Sequence, residues 1–301
     1  GFIGIGFGVG AAGTTLLVLL AKKTDERRRP AAATIVWVMM IAGFILTAAI
    51  AGNLLDPFSP ARLLSVATCI CIGAFIVAVL AVYGMEGRPQ VHSVTAQPST
   101  LKKASFREAL AEVWREPQAR RFATFVFISM LAFSAQDLIL EPFAGALFAF
   151  TAGQSTKLSG VQHGGVFAGM LLVALVTTLF KGRAVASLKG WVVGGCVASS
   201  LALAGLVMAG LHGMPWPLRE NVFLLGVANG AFSIAAIGAM MALASKGRGS
   251  REGVRMGLWG ASQAIAFGGG GFVGTVLADL AKWLVGAAGS AYSFVFGLEA
   301  L

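Results

Sequence analysis

Eight apolar stretches, each about the 20 residues needed to cross a bilayer, constrain this chain more than any other feature. They read as Phe2–Ala21, Ala31–Asn53, Leu63–Tyr83, Phe122–Leu147, Val161–Phe180, Trp191–Leu211, Leu218–Ala244 and Val254–Leu284. A ninth, Ser290–Leu301, is apolar but too short to cross, and reads as the start of a further span. Charged residues are 12% of the chain, against roughly 25% in soluble domains. A soluble protein of this length could not cover its surface with so few charges. The fold class is therefore all-α, a polytopic membrane protein. Gly1 opens inside a helix with no initiator Met, which suggests that an N-terminal part precedes it.

The net charge of +10 would suggest nucleic acid in a soluble protein. Here the loops account for it. Successive loops alternate sides, and all but four of the 23 lysines and arginines fall in Lys22–Arg29, Glu86–Arg121, Lys181–Lys189 and Lys246–Arg255. The other four are Arg62, Lys157, Arg219 and Lys282. The positive-inside rule then makes the basic side cytoplasmic and the protein multi-pass.

The longest polar stretch, Glu86–Arg121, reads as a linker followed by a surface helix, Ser105–Glu116. A Ser105/Glu108 capping box would start that helix, and Ala109, Leu110, Val113 and Trp114 would form its apolar face. The domains expected are 1–85, the remainder of an N-terminal six-helix half; 86–121, a cytoplasmic linker; and 122–301, the C-terminal half. A faint repeat supports this division. Gly6 and Gly10, a basic loop and Trp37 echo Gly226, Gly230, a basic loop and Trp259, in the same orientation. Parallel repeats about a cytoplasmic linker describe the two halves of a major facilitator-type bundle.

Ionisable side chains gather in Ser134–Gly165. Asp137 and Glu141, four apart, share a helix face, and carboxylates within a span default to a functional reading. Counting 1.5 Å per residue from Arg121 puts both toward the periplasmic edge. Pro142 frees the Leu138 carbonyl, so a kink or helix end is expected there. Lys157 falls in the connecting turn, and Gln162 and His163 open the next span at the same level. Three readings stay open. Lys157 could pair with Asp137 or Glu141 and fix the hairpin. A carboxylate could relay protons. A neutral His163 beside Gly164 and Gly165 could ligate a flat macrocycle.

His92 and His212 read as solvated. Cys69, Cys71 and Cys196 imply neither disulfides nor a metal cluster. The Gly268–Gly271 run is a packing feature. No catalytic triad, phosphate loop or nucleic-acid motif is present, so the chain reads as a non-enzyme.

The segments SAQDLILEPFAG (Ser134–Gly145), GQSTKLSGVQHGG (Gly153–Gly165) and LLVLLAKKTDERRRPAAATIVWVMMIAGF (Leu16–Phe44) resemble the PucC-like proteins, the bacteriochlorophyll-delivery branch of the major facilitator superfamily. The resemblance runs through nearly the whole chain. It implies twelve spans, of which the first three and most of the last lie outside this sequence. It also implies a photosynthetic assembly factor that handles bacteriochlorophyll on its way to light-harvesting antenna polypeptides. Reaction centre and bacteriochlorophyll synthase are the further partners expected. The motif positions carried over are Asp137, Glu141, Lys157, Gln162 and His163. His163 is the first candidate axial ligand to the chlorin magnesium and Gln162 the second. The alternatives are a proton-coupled secondary transporter of an amphipathic solute and a structural subunit of a photosynthetic complex.

Overall fold

A computed structural model describes residues 29–83, 114–180, 187–246 and 252–301, with Gly8, Ala12 and Ala111 as isolated positions. The first span, most of the linker and surface helix, His92 and the basic loops around residues 22, 183 and 249 lie outside them. The described residues form eight helices: α1 (Arg29–Leu54), α2 (Pro60–Val82), α3 (Pro117–Phe148), α4 (Ala152–Leu179), α5 (Leu188–His212), α6 (Leu218–Lys246), α7 (Glu252–Val285) and α8 (Ala288–Glu299). The first seven are long and apolar enough to cross a membrane, so the chain is a polytopic helical membrane protein. The turns α1–α2, α3–α4, α5–α6 and α7–α8 share one side, hereafter the hairpin end.

Bare helix backbones meeting at glycines hold the bundle together, as expected where lipid removes the hydrophobic drive for association. On α4, a Cβ at Gly165 would strike the Phe223 carbonyl, and one at Gly169 the Val227 carbonyl, both on α6. Reciprocally, Gly226 and Gly230 of α6 lie on the carbonyls of Gln162 and Val166. The α3–α7 pair uses the same device. Gly270 abuts the Leu131 carbonyl, Gly274 packs on Ala135, and Ser134 Oγ donates to the Phe267 carbonyl at 2.8 Å. The glycine run is thus a packing feature. Trp259, only 1% exposed, donates from Nε1 to the Ala119 carbonyl at 3.4 Å and closes the other end of this pair.

Two helix boundaries differ from the sequence reading in ways that matter for the site. The α4 helix begins at Ala152 rather than Val161. Polar as AGQSTKLSG is, Thr151 and Gln154 form a reciprocal capping box at its start, which satisfies two orphan N–H groups and lets the helix begin there. Lys157 is consequently inside the helix, not in a turn. The α3 helix runs through Pro142 and ends six residues later on a left-handed Ala149, so Pro142 does not terminate it. The short segment near the C-terminus is helical, as α8, and packs against α5, α7 and α3.

An apolar core occupies the hairpin half of α3–α8. It includes Ile139, Leu140 and Phe143 of α3, Leu158 of α4, Leu203 of α5 and Leu225 of α6, with Val295 and Phe296 of α8. Phe143 stands edge-on to both Tyr292 and Phe296, with centroids 5.6 and 5.1 Å away.

Candidate functional site

The junction of α1, α3 and α4 holds the ionisable groups. Asp137 on α3 lies near His163 on α4, and its carboxylate is close to the Gln162 side-chain amide. Gln162 is 1% exposed, and apart from a loose approach to the Asp137 carboxylate neither its Oε1 nor its Nε2 completes a hydrogen bond. An unpaired amide so deeply buried costs roughly 1–3 kcal/mol. Such a group asks for a partner. Glu141, one turn toward the hairpin end, is exposed and close enough to Asp137 for like-charge repulsion.

His163 has a defined orientation. Its Nδ1 lies 2.8 Å from the Ser159 carbonyl. A carbonyl only accepts, so Nδ1 carries the proton. Neutral imidazole has one N–H, which leaves the Nε2 lone pair free. Fixing one nitrogen through a backbone carbonyl is the arrangement that prepares the other for a metal. Phe44 of α1 stands edge-on to the ring, centroids 5.2 Å apart. The room expected beside the paired glycines is only half there. The α6 backbone fills the space at Gly165, while nothing lies within 4 Å of a Cβ at Gly164. Among the described residues, no three His, Cys, Asp or Glu gather to hold a bare metal ion. A single nitrogen such as His163 Nε2 suits a metal already held by a macrocycle.

Depth follows from the corrected boundaries. Gln162 is about 15 Å along α4 from its hairpin-end start, and Asp137 about 16 Å from the end of α3, at 1.5 Å per residue. The bilayer's apolar core is about 30 Å thick. At 32 and 28 residues α3 and α4 both outrun that core, and these groups lie about three turns inside the hairpin ends of their helices. The early start of α4 also separates Lys157 from them. Lys157 makes no ion pair with Asp137 or Glu141. Its side chain instead runs along α1, where a Cβ on Gly52 would meet its Cγ at 2.6 Å. The hairpin therefore is not fixed by a Lys157–carboxylate pair.

What fixes α4 is a residue the sequence reading passed over. In the α1–α2 turn, Asp56 Oδ2 accepts from Thr151 Oγ1 at 2.9 Å and Oδ1 from the Gly153 N–H at 3.2 Å. A carboxylate at a helix start satisfies orphan donors and opposes the positive dipole end. Arg62 Nη1 donates to the Asp56 and Pro57 carbonyls at 2.7 and 3.1 Å and holds the turn. Asp56→Ala should lower stability by roughly 1–2 kcal/mol, and Asp56→Asn by less, because it keeps one acceptor. Thermal unfolding in detergent measures both. An Asp–Pro turn signals a bend, but no sequence pattern says which helix the Asp will cap.

Away from this junction, a cavity of about 660 Å³ opens between α4, α5 and α6, bounded by Leu172, Trp191, Gly194, Leu224, Val227 and Ala231. It is apolar and does not include the Asp137–His163 cluster. His212 is exposed and bonds its own helix, Nδ1 to the Met208 carbonyl at 3.0 Å.

Residues 1–301 match the family described as PUCC protein. The chain is 53% identical over 300 residues to the Bacteriochlorophyll synthase 44.5 kDa chain of Rhodobacter capsulatus, covering all of this chain and 68% of that one. It is 28% identical over 251 residues to Protein PucC of Rhodovulum sulfidophilum, covering 82% of this chain and 53% of that one. Against Protein PucC of Rhodobacter capsulatus the identity is 27% over 273 residues, covering 89% and 57%. The chain thus spans little more than half the length of the two PucC proteins. No solved structure matches it.

Proposed function

The chain belongs to the PUCC protein family, and from that premise we propose that it is an inner-membrane assembly factor for photosynthetic light-harvesting complexes. It binds bacteriochlorophyll and passes it to antenna polypeptides, without catalysing a reaction itself. A relative named as a bacteriochlorophyll synthase chain supports pigment as the cargo, with the synthase and reaction centre as neighbours on the route. The basic loops face the cytoplasm, and residues 1–85 and 122–301 belong to two halves of a larger bundle.

The observation that carries this reading is the state of His163. Its Nδ1–H is committed to Ser159, which leaves Nε2 to serve as axial ligand to the chlorin magnesium. Gln162, neither of whose amide atoms completes a hydrogen bond, supplies a donor for a ring carbonyl. Asp137, Glu141 and Lys157 tune the site and its hairpin end rather than touch the metal. Gently solubilised protein from a phototrophic host should carry a chlorin absorption band in stoichiometric amount. Apoprotein that neither retains added bacteriochlorophyll nor shifts its spectrum would remove the basis of the proposal.

Asp137, a carboxylate about three turns inside the apolar helix α3, supports a second reading, a proton-coupled transporter of an amphipathic solute. It requires flux into liposomes driven by a pH gradient and abolished by Asp137→Asn. Pigment binding without such flux decides for the first.

A further inference from the structure

The apolar cavity between α4, α5 and α6 is a groove with its own origin. Gly165 and Gly169 bring α4 onto α6, and Gly195 brings α5 onto the same helix, where a Cβ would come within 2.9 Å of the Phe232 backbone. The two helices flank α6 and leave a channel over it, floored by Ala228 and Ala231. Gly194 keeps that channel open, because nothing lies within 4 Å of a Cβ there. Leu172, Leu201 and Leu224 line it and are exposed. Leu172 follows His163 by two and a half helical turns, so the two side chains leave α4 on opposite faces. The groove is therefore separate from the His163 junction.

Its dimensions select the occupant. Along α5 the groove runs from Gly190 to Leu201, about 16 Å at 1.5 Å per residue. Its 660 Å³, spread over that length, makes a channel about 7 Å across. A helix with its side chains is about 10–12 Å wide and does not enter. A single hydrocarbon chain does.

One end of the groove is basic. Gly190 and Trp191 are the third and fourth residues of α5, so the groove reaches the side away from the hairpin end. Lys189, exposed, directly precedes them. The connecting sequence KGRAVASLK (181–189) also carries Lys181 and Arg183 and has no acidic residue. Since α4 ends at Leu179, Arg183 is within about 14 Å of that helix end at 3.5 Å per residue. The positive end of the α5 dipole points to the same place, and a Trp such as Trp191 favours the headgroup level. An apolar channel that ends in three cations and a helix start matches an apolar chain that ends in an anion.

We propose that this groove binds an anionic phospholipid from the leaflet opposite the hairpin end. One acyl chain lies over Gly194 and Ala198, and the phosphate meets Lys189, Lys181 and Arg183. Each Lys or Arg close to an anionic surface contributes about fivefold in affinity, which a zwitterionic headgroup largely forfeits. The lipid is held whether or not pigment is bound at His163.

Quenching of Trp191 by phospholipids brominated on the acyl chain tests this. It is read in phosphatidylcholine vesicles as the difference between the whole protein and Trp191→Phe. Brominated phosphatidylglycerol should reach half its quenching at a mole fraction tenfold or more below that of brominated phosphatidylcholine. Lys181→Gln, Arg183→Gln and Lys189→Gln together should bring the two curves to within about twofold. Gly194→Leu, whose side chain enters the open channel, should reduce quenching by both lipids. Native mass spectrometry provides the second measurement: a phosphatidylglycerol adduct that survives delipidation of the parent protein and is missing from both variants. Neither readout requires pigment. Equal quenching by the two lipids, a preference that survives loss of the three charges, or quenching relieved by bacteriochlorophyll or an antenna polypeptide but not by unlabelled phosphatidylglycerol would overturn the assignment.

Discussion

Gly165→Ala is expected to break the α4–α6 pair, while Gly164→Ala, one residue away, leaves it intact. The added methyl at Gly165 meets the Phe223 carbonyl and sits 3.0 Å from the Gly226 Cα and Val227 N. These are backbone atoms, which no rotamer change can move. The helices must separate, and separation also undoes the contacts of Gly169, Gly226 and Gly230 along the same seam. Overpacking typically costs 1–3 kcal/mol, and with this propagation the loss should reach about 3 kcal/mol. The Gly164 methyl enters open space and should change stability by less than about 0.5 kcal/mol, or raise it by favouring the helix. Unfolding in mixed micelles compares the two variants directly. Equal stability of both would mean that α4 and α6 do not cross where the structure puts them.

His163→Leu should reduce pigment retention by tenfold or more, equivalent to about 1.4 kcal/mol, with little effect on folding. Leucine preserves an apolar contact to Phe44 and removes only Nε2 and the Nδ1–Ser159 bond, which is internal to α4. The spectrum separates ligation from mere packing. Loss of an axial nitrogen should shift the pigment's visible band in whatever pigment remains, and His163→Gln, which keeps a ligating atom, should recover part of the binding. Gln162→Leu should weaken retention less and leave the band of the bound pigment nearer its original position, since the amide would bond the ring periphery. Unchanged retention and an unchanged band in His163→Leu would remove His163 as ligand.

The fold was legible because span length and charge asymmetry are set by the bilayer, which treats every apolar helix alike. The start of α4 was not. Its first nine residues, AGQSTKLSG, are polar and small, and a hydropathy reading cuts them away. The Thr151/Gln154 cap, the Asp56 carboxylate and the approach of Gly52 to Gly153 and Lys157 make them helix. That single boundary put Gln162 and His163 about three turns into α4 rather than at its opening, and removed Lys157 from the carboxylates. The motif residues Asp137, Gln162 and His163 could be picked out as ionisable or polar exceptions in apolar runs.

Among the described helices, those before and after the linker meet chiefly along one line, α1 against α4. Phe44 and His163 lie partway along it, and Asp56 is fastened to α4 at its hairpin end. A seam of two helices lying side by side can act as a pivot axis. Tilting one side about it would pull the phenyl ring away from the imidazole and uncover Nε2, provided that the two bonds of Asp56 let go or swivel. Removing Asp56 would then do more than soften the protein: it would alter the rate at which cargo enters and leaves, even where the resting affinity is unchanged.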